Sequence, residues 1–125
     1  MVLIAHSLAT ATAVKWAAGA SAQQRGRVAA AFLAATTDVG NSDPSFDIVR
    51  PFAPLPLERL PFPALVAASR NDPRVTFARA EEFAAAWGAD LADVGELGHI
   101  GNDSGLGLWP EGLLLLGRLL ARAGL

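Results

Sequence analysis

The chain has 125 residues, 52% of them hydrophobic, and a mean hydropathy of +0.34, which together predict one small domain with a packed core and exclude disorder. Its formal net charge of −2, with scattered Lys and Arg residues, gives no electrostatic reason to expect nucleic acid or a membrane as partner. The lack of cysteine excludes disulfides, thiolate metal sites and a cysteine nucleophile, and fits the cytoplasmic location that we expect.

The first third of the chain alternates between strand and helix patterns. Residues 2–6 predict a short buried strand, because the run is too continuously apolar for an exposed edge. Residues 9–19 are alanine-rich and predict a helix that buries Val14 and Trp16. A second buried strand is predicted within residues 27–36.

The segment from Thr37 to Pro63 holds six of the eight prolines, which rules out a regular strand or a long helix. A loop of this length in a small domain is usually functional, often as a cover over a pocket. Phe46 and Phe52 are candidates for an apolar substrate cover, and packing within the loop is the alternative for both.

The third strand is predicted over residues 64–69, and it runs into a turn at Arg70-Asn71-Asp72-Pro73. A helix follows over residues 76–87, with Thr76 as its N-terminal cap and Gly88 as its end.

The rest of the chain predicts a short strand over residues 90–94, a glycine-rich loop over residues 95–109 and a leucine-rich helix over residues 111–123. Strands that alternate with helices pair in parallel through crossover connections. We therefore expect an α/β domain of about four parallel strands flanked by helices.

The first strand ends in Ala5-His6-Ser7-Leu8-Ala9, a pattern close to the nucleophile elbow Gly-x-Ser-x-Gly. In an elbow, a sharp strand-to-helix turn pushes the serine side chain out of the backbone, and small neighbours let strand and helix pass closely. Here alanine stands at both glycine positions.

An acid and a histidine follow in the order that such a site needs. Asp72 lies just beyond the third strand and His99 just beyond the fourth, so both fall at the same edge of a parallel sheet as Ser7. A serine hydroxyl becomes a nucleophile when a histidine takes its proton and an acid orients that histidine. The order Ser–Asp–His is that of the α/β-hydrolases.

Each of these residues also has a simpler interpretation. Ser7 can be only a helix cap, Asp72 only a turn residue, and His99 only a hydrogen-bonded loop residue. His6 is expected to be a packing and hydrogen-bonding residue, because strand alternation turns it away from the face of Ser7. Asp38, after the second strand, is the reserve acid.

Several stretches resemble the YdeN-like serine hydrolases, the family named for retinoblastoma-binding protein nine, within the α/β-hydrolase superfamily. The stretches are Val2-Leu-Ile-Ala-His-Ser-Leu, Leu60-Pro-Phe-Pro-Ala-Leu-Val, Ala68-Ser-Arg-Asn-Asp-Pro-Arg, Gly95-Glu-Leu-Gly-His-Ile and Gly105-Leu-Gly-Leu-Trp-Pro-Glu-Gly. The resemblance implies a triad of Ser7, Asp72 and His99 that acts on small ester or amide substrates.

Two departures from that family's pattern stand out. Ala9 replaces the usual glycine after the nucleophile, and its methyl group is expected to crowd the elbow. Family members also carry further strands and a glycine-containing loop before the elbow, and that loop supplies one of two oxyanion-hole donors. The amide of Leu8 would supply the other. We therefore expect an N-terminally truncated chain whose first strand presents an apolar edge, a surface for a homodimer.

The sequence thus favours a serine hydrolase that needs no cofactor or metal and forms an acyl-enzyme on Ser7. Trp109 and Phe52 are the candidate substrate-binding residues, with a buried structural role as the alternative for Trp109. The alternative functions are a non-catalytic protein-interaction module and an inactive remnant of a longer hydrolase.

Overall fold

The computed structural model describes all 125 residues as one parallel sheet with helices on both faces. The strands are β1 (Val2–His6), β2 (Ala30–Ala34), β3 (Ala64–Ala68) and β4 (Asp90–Asp93). They lie in the order β1-β2-β3-β4, and each neighbouring pair is parallel. The helices are α1 (Leu8–Gly19), α2 (Ala22–Arg25), α3 (Phe77–Trp87) and α4 (Pro110–Arg122). The predicted α/β architecture is confirmed. The elements not predicted are the four-residue α2 and three single-turn 3₁₀ helices within the predicted loops, at Pro44–Phe46, Arg50–Phe52 and Asn102–Ser104.

The two central strands form the core of the domain, and every residue of β2 and β3 is buried. α1, α3 and the proline-rich loop cover one face of the sheet, where Val14, Leu33 and Phe83 are among the packed side chains. α4 covers the other face, where Leu119 packs on Phe32 and its neighbours. The longest helix has 13 residues, and none has the length and apolar character needed to cross a bilayer.

α3 begins and ends where the sequence predicts. The Thr76 hydroxyl accepts a hydrogen bond from the amide of Arg79, and Gly88 closes the helix in the left-handed region at φ 65°. Trp87 stacks on Phe83 with a ring separation of 5.1 Å, and its Nε1 donates to the Pro56 carbonyl at 2.7 Å. This one side chain therefore joins the helix to the proline-rich loop.

Two predictions about burial are wrong. β1 is an edge strand, because it pairs only with β2, and Ile4 on it is 67% exposed. Trp16 is 37% exposed, although Val14 on the same helix is buried as predicted. Both errors have one cause, since an apolar side chain is buried only where another element covers it. The expectation that β1 presents a free apolar edge is confirmed by the sheet order.

We predict that Trp87→Phe lowers the free energy of unfolding by about 1–3 kcal/mol, because it leaves the Pro56 carbonyl without its donor and opens a void. Trp16→Phe is the matched control, and it should change stability by about 0.5 kcal/mol or less. Urea unfolding of both variants measures this difference. Equal losses in the two variants would contradict the assignment of Trp87 as the link between loop and helix.

Candidate active site

Ser7 occupies the sharp turn between β1 and α1. Its backbone has φ 59° and ψ −128°, a sparsely populated conformation for a residue with a side chain, and such strain typically costs about 1–3 kcal/mol. The Ser7 amide donates to the Ala34 carbonyl at 3.0 Å, which continues the pairing with β2 past the strand end. The elbow forms with Ala5 buried and Ala9 exposed, so the Ala9 methyl group does not prevent it.

The Ser7 hydroxyl takes part in an unbroken row of hydrogen bonds. Ser7 Oγ lies 2.7 Å from His99 Nε2, and His99 Nδ1 lies 2.9 Å from Asp72 Oδ1. Although Ser7 is at the N-cap position of α1, its side chain makes no capping hydrogen bond. The simpler interpretation of Ser7 as a side-chain cap is therefore wrong.

The protonation of this row follows from the chemistry of its members. An ionised carboxylate only accepts hydrogen bonds, so His99 Nδ1 carries a proton and donates it to Asp72. In a neutral imidazole the other nitrogen is then an acceptor, and the Ser7 hydroxyl donates to Nε2. His99 Nε2 is therefore a base placed to accept the proton of the Ser7 hydroxyl group.

Asp72 is enclosed by the protein, with its side chain 0% exposed, whereas that of His99 is 27% exposed. Its Oδ1 also accepts the amide of Arg74 at 2.9 Å, and its Oδ2 has no hydrogen-bond partner. A buried carboxylate with so few donors stabilises a positive charge beside it strongly. Protonation of His99 would supply that charge.

Asp38, the reserve acid, contacts Arg79 and not His99. Its Oδ1 lies 3.4 Å from Arg79 Nε, and no hydrogen bond joins it to His99. The pKa of Arg79 is raised above its ordinary value by its hydrogen bond to Glu82, with a further contribution from Asp38. Between the two acids, only Asp72 reaches the histidine. No cluster of three or more His, Asp or Glu side chains is placed to hold a metal ion.

The loop that carries His99 is held by polar side chains for which the sequence predicts no functional role. Ser69 Oγ accepts the amide of Leu97 at 2.9 Å, and Asn71 Oδ1 accepts the amide of Gly98 at 2.7 Å. Both residues follow β3, as Asp72 does. One turn therefore positions Asp72 and also holds the loop that carries His99. The Ser-Arg-Asn-Asp run is the available signal, because it forms a turn and matches the family pattern, but neither feature indicates that Ser69 and Asn71 hold the His99 loop.

His6 holds the same loop from the opposite side. Its Nε2 donates to the His99 carbonyl at 2.8 Å, and the two imidazole rings are 5.2 Å apart. His6 is thus a hydrogen-bonding residue, as predicted, and although its ring lies beside that of His99 it takes no place in the row of Ser7, His99 and Asp72.

A second hydroxyl group reaches Ser7. Thr37 Oγ1 lies 3.3 Å from Ser7 Oγ. Thr37 follows the end of β2, the strand that pairs with β1. Ala35, in the left-handed region at φ 50°, turns the chain just before it. In the sequence, the only signal for Thr37 is its position shortly after a strand of the predicted sheet.

The backbone amide of Leu8 is available to donate a hydrogen bond to an anion. It is the first residue of α1, so its N–H has no intrahelical acceptor, and no other group of the chain accepts it. The N-terminus of a helix also carries partial positive charge. The predicted oxyanion donor is therefore free to bind a ligand.

Trp109 lies at the start of α4 and is half-buried. Its ring packs edge-on against Phe32 with centroids 6.2 Å apart, and a Cβ at Gly112 would collide with its indole. This contact explains the glycine in the Trp-Pro-Glu-Gly run. Trp109 and His6 also line one cavity of about 580 Å³, next to the loop of His99. The tryptophan thus has a packing role and also borders open space beside the site.

The two phenylalanines of the proline-rich loop differ. Phe46 is buried, and the guanidinium of Arg74, from the turn after β3, lies over its ring, so Phe46 is a packing residue and not an exposed cover. Phe52 is 38% exposed, and its ring centre lies 6.0 Å from Lys15 Nζ, about two turns along α1 from Ser7. The structure does not bring Phe52 together with Ser7 and His99, and its substrate-binding role stays a prediction.

Comparison with known proteins agrees with this geometry. The family model described as serine hydrolase matches residues 1–118. A crystal structure described as a YdeN-like hydrolase from Pectobacterium atrosepticum is similar, with 33% sequence identity and a TM-score of 0.73. The match covers 98% of this chain and 60% of that one, so the chain spans about three-fifths of the length of its structural relative. A search of curated proteins gives no match. The predicted resemblance to YdeN-like proteins is confirmed, and the chain belongs to the serine hydrolase family.

Proposed function

We propose that the chain hydrolyses small ester or amide substrates through an acyl-enzyme on Ser7, with His99 as the base and Asp72 as the acid that orients it. The observation that carries this proposal is the row of two short hydrogen bonds, 2.7 Å from Ser7 to His99 and 2.9 Å from His99 to Asp72. Membership of the serine hydrolase family supports hydrolysis as the reaction class.

In the proposed acylation step, Ser7 Oγ attacks the substrate carbonyl carbon while its proton passes to His99 Nε2. Collapse of the tetrahedral intermediate breaks the bond to the leaving group, which receives that proton from His99. A water molecule then attacks the acyl group, again giving its proton to His99, and Ser7 recovers a proton as the acid product departs. Asp72 keeps its charge throughout and stabilises the imidazolium.

The amide of Leu8 is the proposed donor to the oxyanion. Its N–H is unpaired and next to Ser7, which suits the developing negative charge on the carbonyl oxygen. A single donor of this kind typically contributes about 10²–10³ in kcat. Trp109 and His6, which border the cavity beside His99, are proposed to contact the substrate, as is the more distant Phe52.

The direct test is labelling by a fluorophosphonate probe, which reacts covalently with an activated serine. We expect stoichiometric labelling of the wild-type chain at Ser7 and complete loss of labelling in Ser7→Ala. Ser45→Ala is the control, because Ser45 lies in an exposed turn and its hydroxyl bonds only to Asp43. Absence of labelling in a folded wild-type chain would refute the proposal.

The acid is tested by a matched pair of variants. Asp72→Asn should slow labelling and any ester hydrolysis by about 10³–10⁴-fold, because the amide no longer fixes the His99 tautomer that accepts the serine proton. Asp38→Asn removes the same charge from the acid that contacts Arg79, and it should leave the rate within about twofold. A larger effect of Asp38→Asn than of Asp72→Asn would contradict the assignment of Asp72 as the acid that orients His99.

A further inference from the structure

Thr37 carries a buried hydroxyl group whose one hydrogen-bond partner is the proposed nucleophile. The residue is 3% exposed, and its Oγ1 lies 3.3 Å from Ser7 Oγ. Buried hydroxyl groups in folded proteins nearly always have a hydrogen-bond partner. No backbone atom and no other side chain forms a hydrogen bond with Thr37 Oγ1. The contact with Ser7 is therefore the one that satisfies this side chain.

The direction of this hydrogen bond follows from the rest of the row. His99 donates from Nδ1 to Asp72, so its Nε2 accepts, and the Ser7 proton points toward it. Ser7 Oγ then has only lone pairs to offer on its other side. Thr37 must be the donor, with its own proton directed at the serine oxygen.

We propose that Thr37 is a further catalytic residue of this site. Its hydroxyl group holds Ser7 Oγ with the proton toward His99, and it stabilises the negative charge that this oxygen gains as the proton leaves. The inference rests on the proposed function, because it assigns Thr37 a role in the same reaction.

The length of the contact suits a role in the transition state. At 3.3 Å it is longer than a usual O–H···O hydrogen bond of about 2.7–2.8 Å, so it orients Ser7 Oγ only weakly before reaction and can still shorten. Hydrogen bonds to charged acceptors are shorter and about twice as strong as neutral ones. The interaction therefore strengthens as charge develops, and interactions that do so accelerate the reaction.

Thr37 keeps its own proton in every step. The proton that moves during attack is that of Ser7, which passes to His99 Nε2. During deacylation the Ser7 oxygen leaves the acyl carbon with the bonding electron pair, meets the same donor, and recovers a proton from His99. No additional reactant is required.

The chain supplies a matched control in the preceding residue. Thr36 is also a threonine, is 1% exposed, and has a hydroxyl group with no hydrogen-bond partner. Its replacement by valine removes the same atom from an equally buried place without touching Ser7. Loss of an unpaired buried hydroxyl group should also leave the melting temperature unchanged or raise it.

The experiment measures the second-order rate of fluorophosphonate labelling in Thr37→Val, Thr37→Ala, Thr37→Ser and Thr36→Val, together with melting temperatures. We expect labelling to slow about tenfold in Thr37→Val and Thr37→Ala. Thr37→Ser retains the hydroxyl group and should stay within about twofold of wild type, as should Thr36→Val. Because the Ala and Ser variants differ by one hydroxyl group, their comparison separates donation from packing even if Thr37→Val does not fold.

Two results would overturn the inference while leaving the proposed function intact. Equal labelling rates in Thr37→Ala and Thr37→Ser would show that the hydroxyl group contributes nothing. An equal slowing in Thr36→Val would show that any change at this strand end acts through packing. Absence of labelling in the wild-type chain is a different outcome, which refutes the proposed function and the catalytic role of Thr37 with it.

Discussion

The hydrogen bond from His99 Nδ1 to the buried carboxylate of Asp72 determines what the neighbouring polar atoms can do. Because Asp72 accepts at 2.9 Å, the proton of the neutral imidazole is fixed on Nδ1, and Nε2 is left as an acceptor for Ser7 at 2.7 Å. The same constraint makes Thr37 the donor to Ser7. The buried negative charge of Asp72 thus orders three other side chains, those of His99, Ser7 and Thr37. Together the four residues come from the ends of three strands and from the loop after the fourth.

The parallel sheet brings these side chains together through its register. His6 pairs with Ala34, Ala34 with Ala67, and Ala68 with Asp93, so all four strands end at nearly the same level. The segments that follow them therefore begin side by side, at the edge where ligands usually meet an open parallel sheet. Hydrogen bonds from the turn after β3 then fix the His99 loop, through Ser69 and Asn71. The scaffold places the site on strand ends, and a few side chains set the final distances.

Much of this arrangement could be predicted from the sequence, because it depends on local signals. Apolar runs bounded by turn residues predict the strands, the capping residues Thr76 and Gly88 predict the bounds of α3, and alternation of strands and helices predicts parallel pairing. The order of Ser7, Asp72 and His99 along the chain then indicates which side chains share the sheet edge. These inferences need only neighbours in sequence and the rules of parallel sheets.

The features that escaped prediction depend on contacts between distant segments. The exposure of Ile4 and Trp16 depends on which elements cover them, and no local pattern encodes that. Ser69 and Asn71 hold a loop more than 25 residues away, and Thr37 contacts a serine 30 residues earlier. α2 is a single turn, too short for a hydrophobic period to show.

The proposed activity requires that Ser7, His99 and Asp72 form one proton-transfer unit that activates the serine. A crystal structure of the chain after reaction with a phosphonate ester tests it most directly, since the adduct imitates the tetrahedral intermediate. We expect phosphorus bonded to Ser7 Oγ, a phosphonyl oxygen about 3 Å from the Leu8 nitrogen, and His99 still hydrogen-bonded to Asp72. An adduct on another residue, or one on Ser7 with His99 withdrawn from both partners, would contradict it.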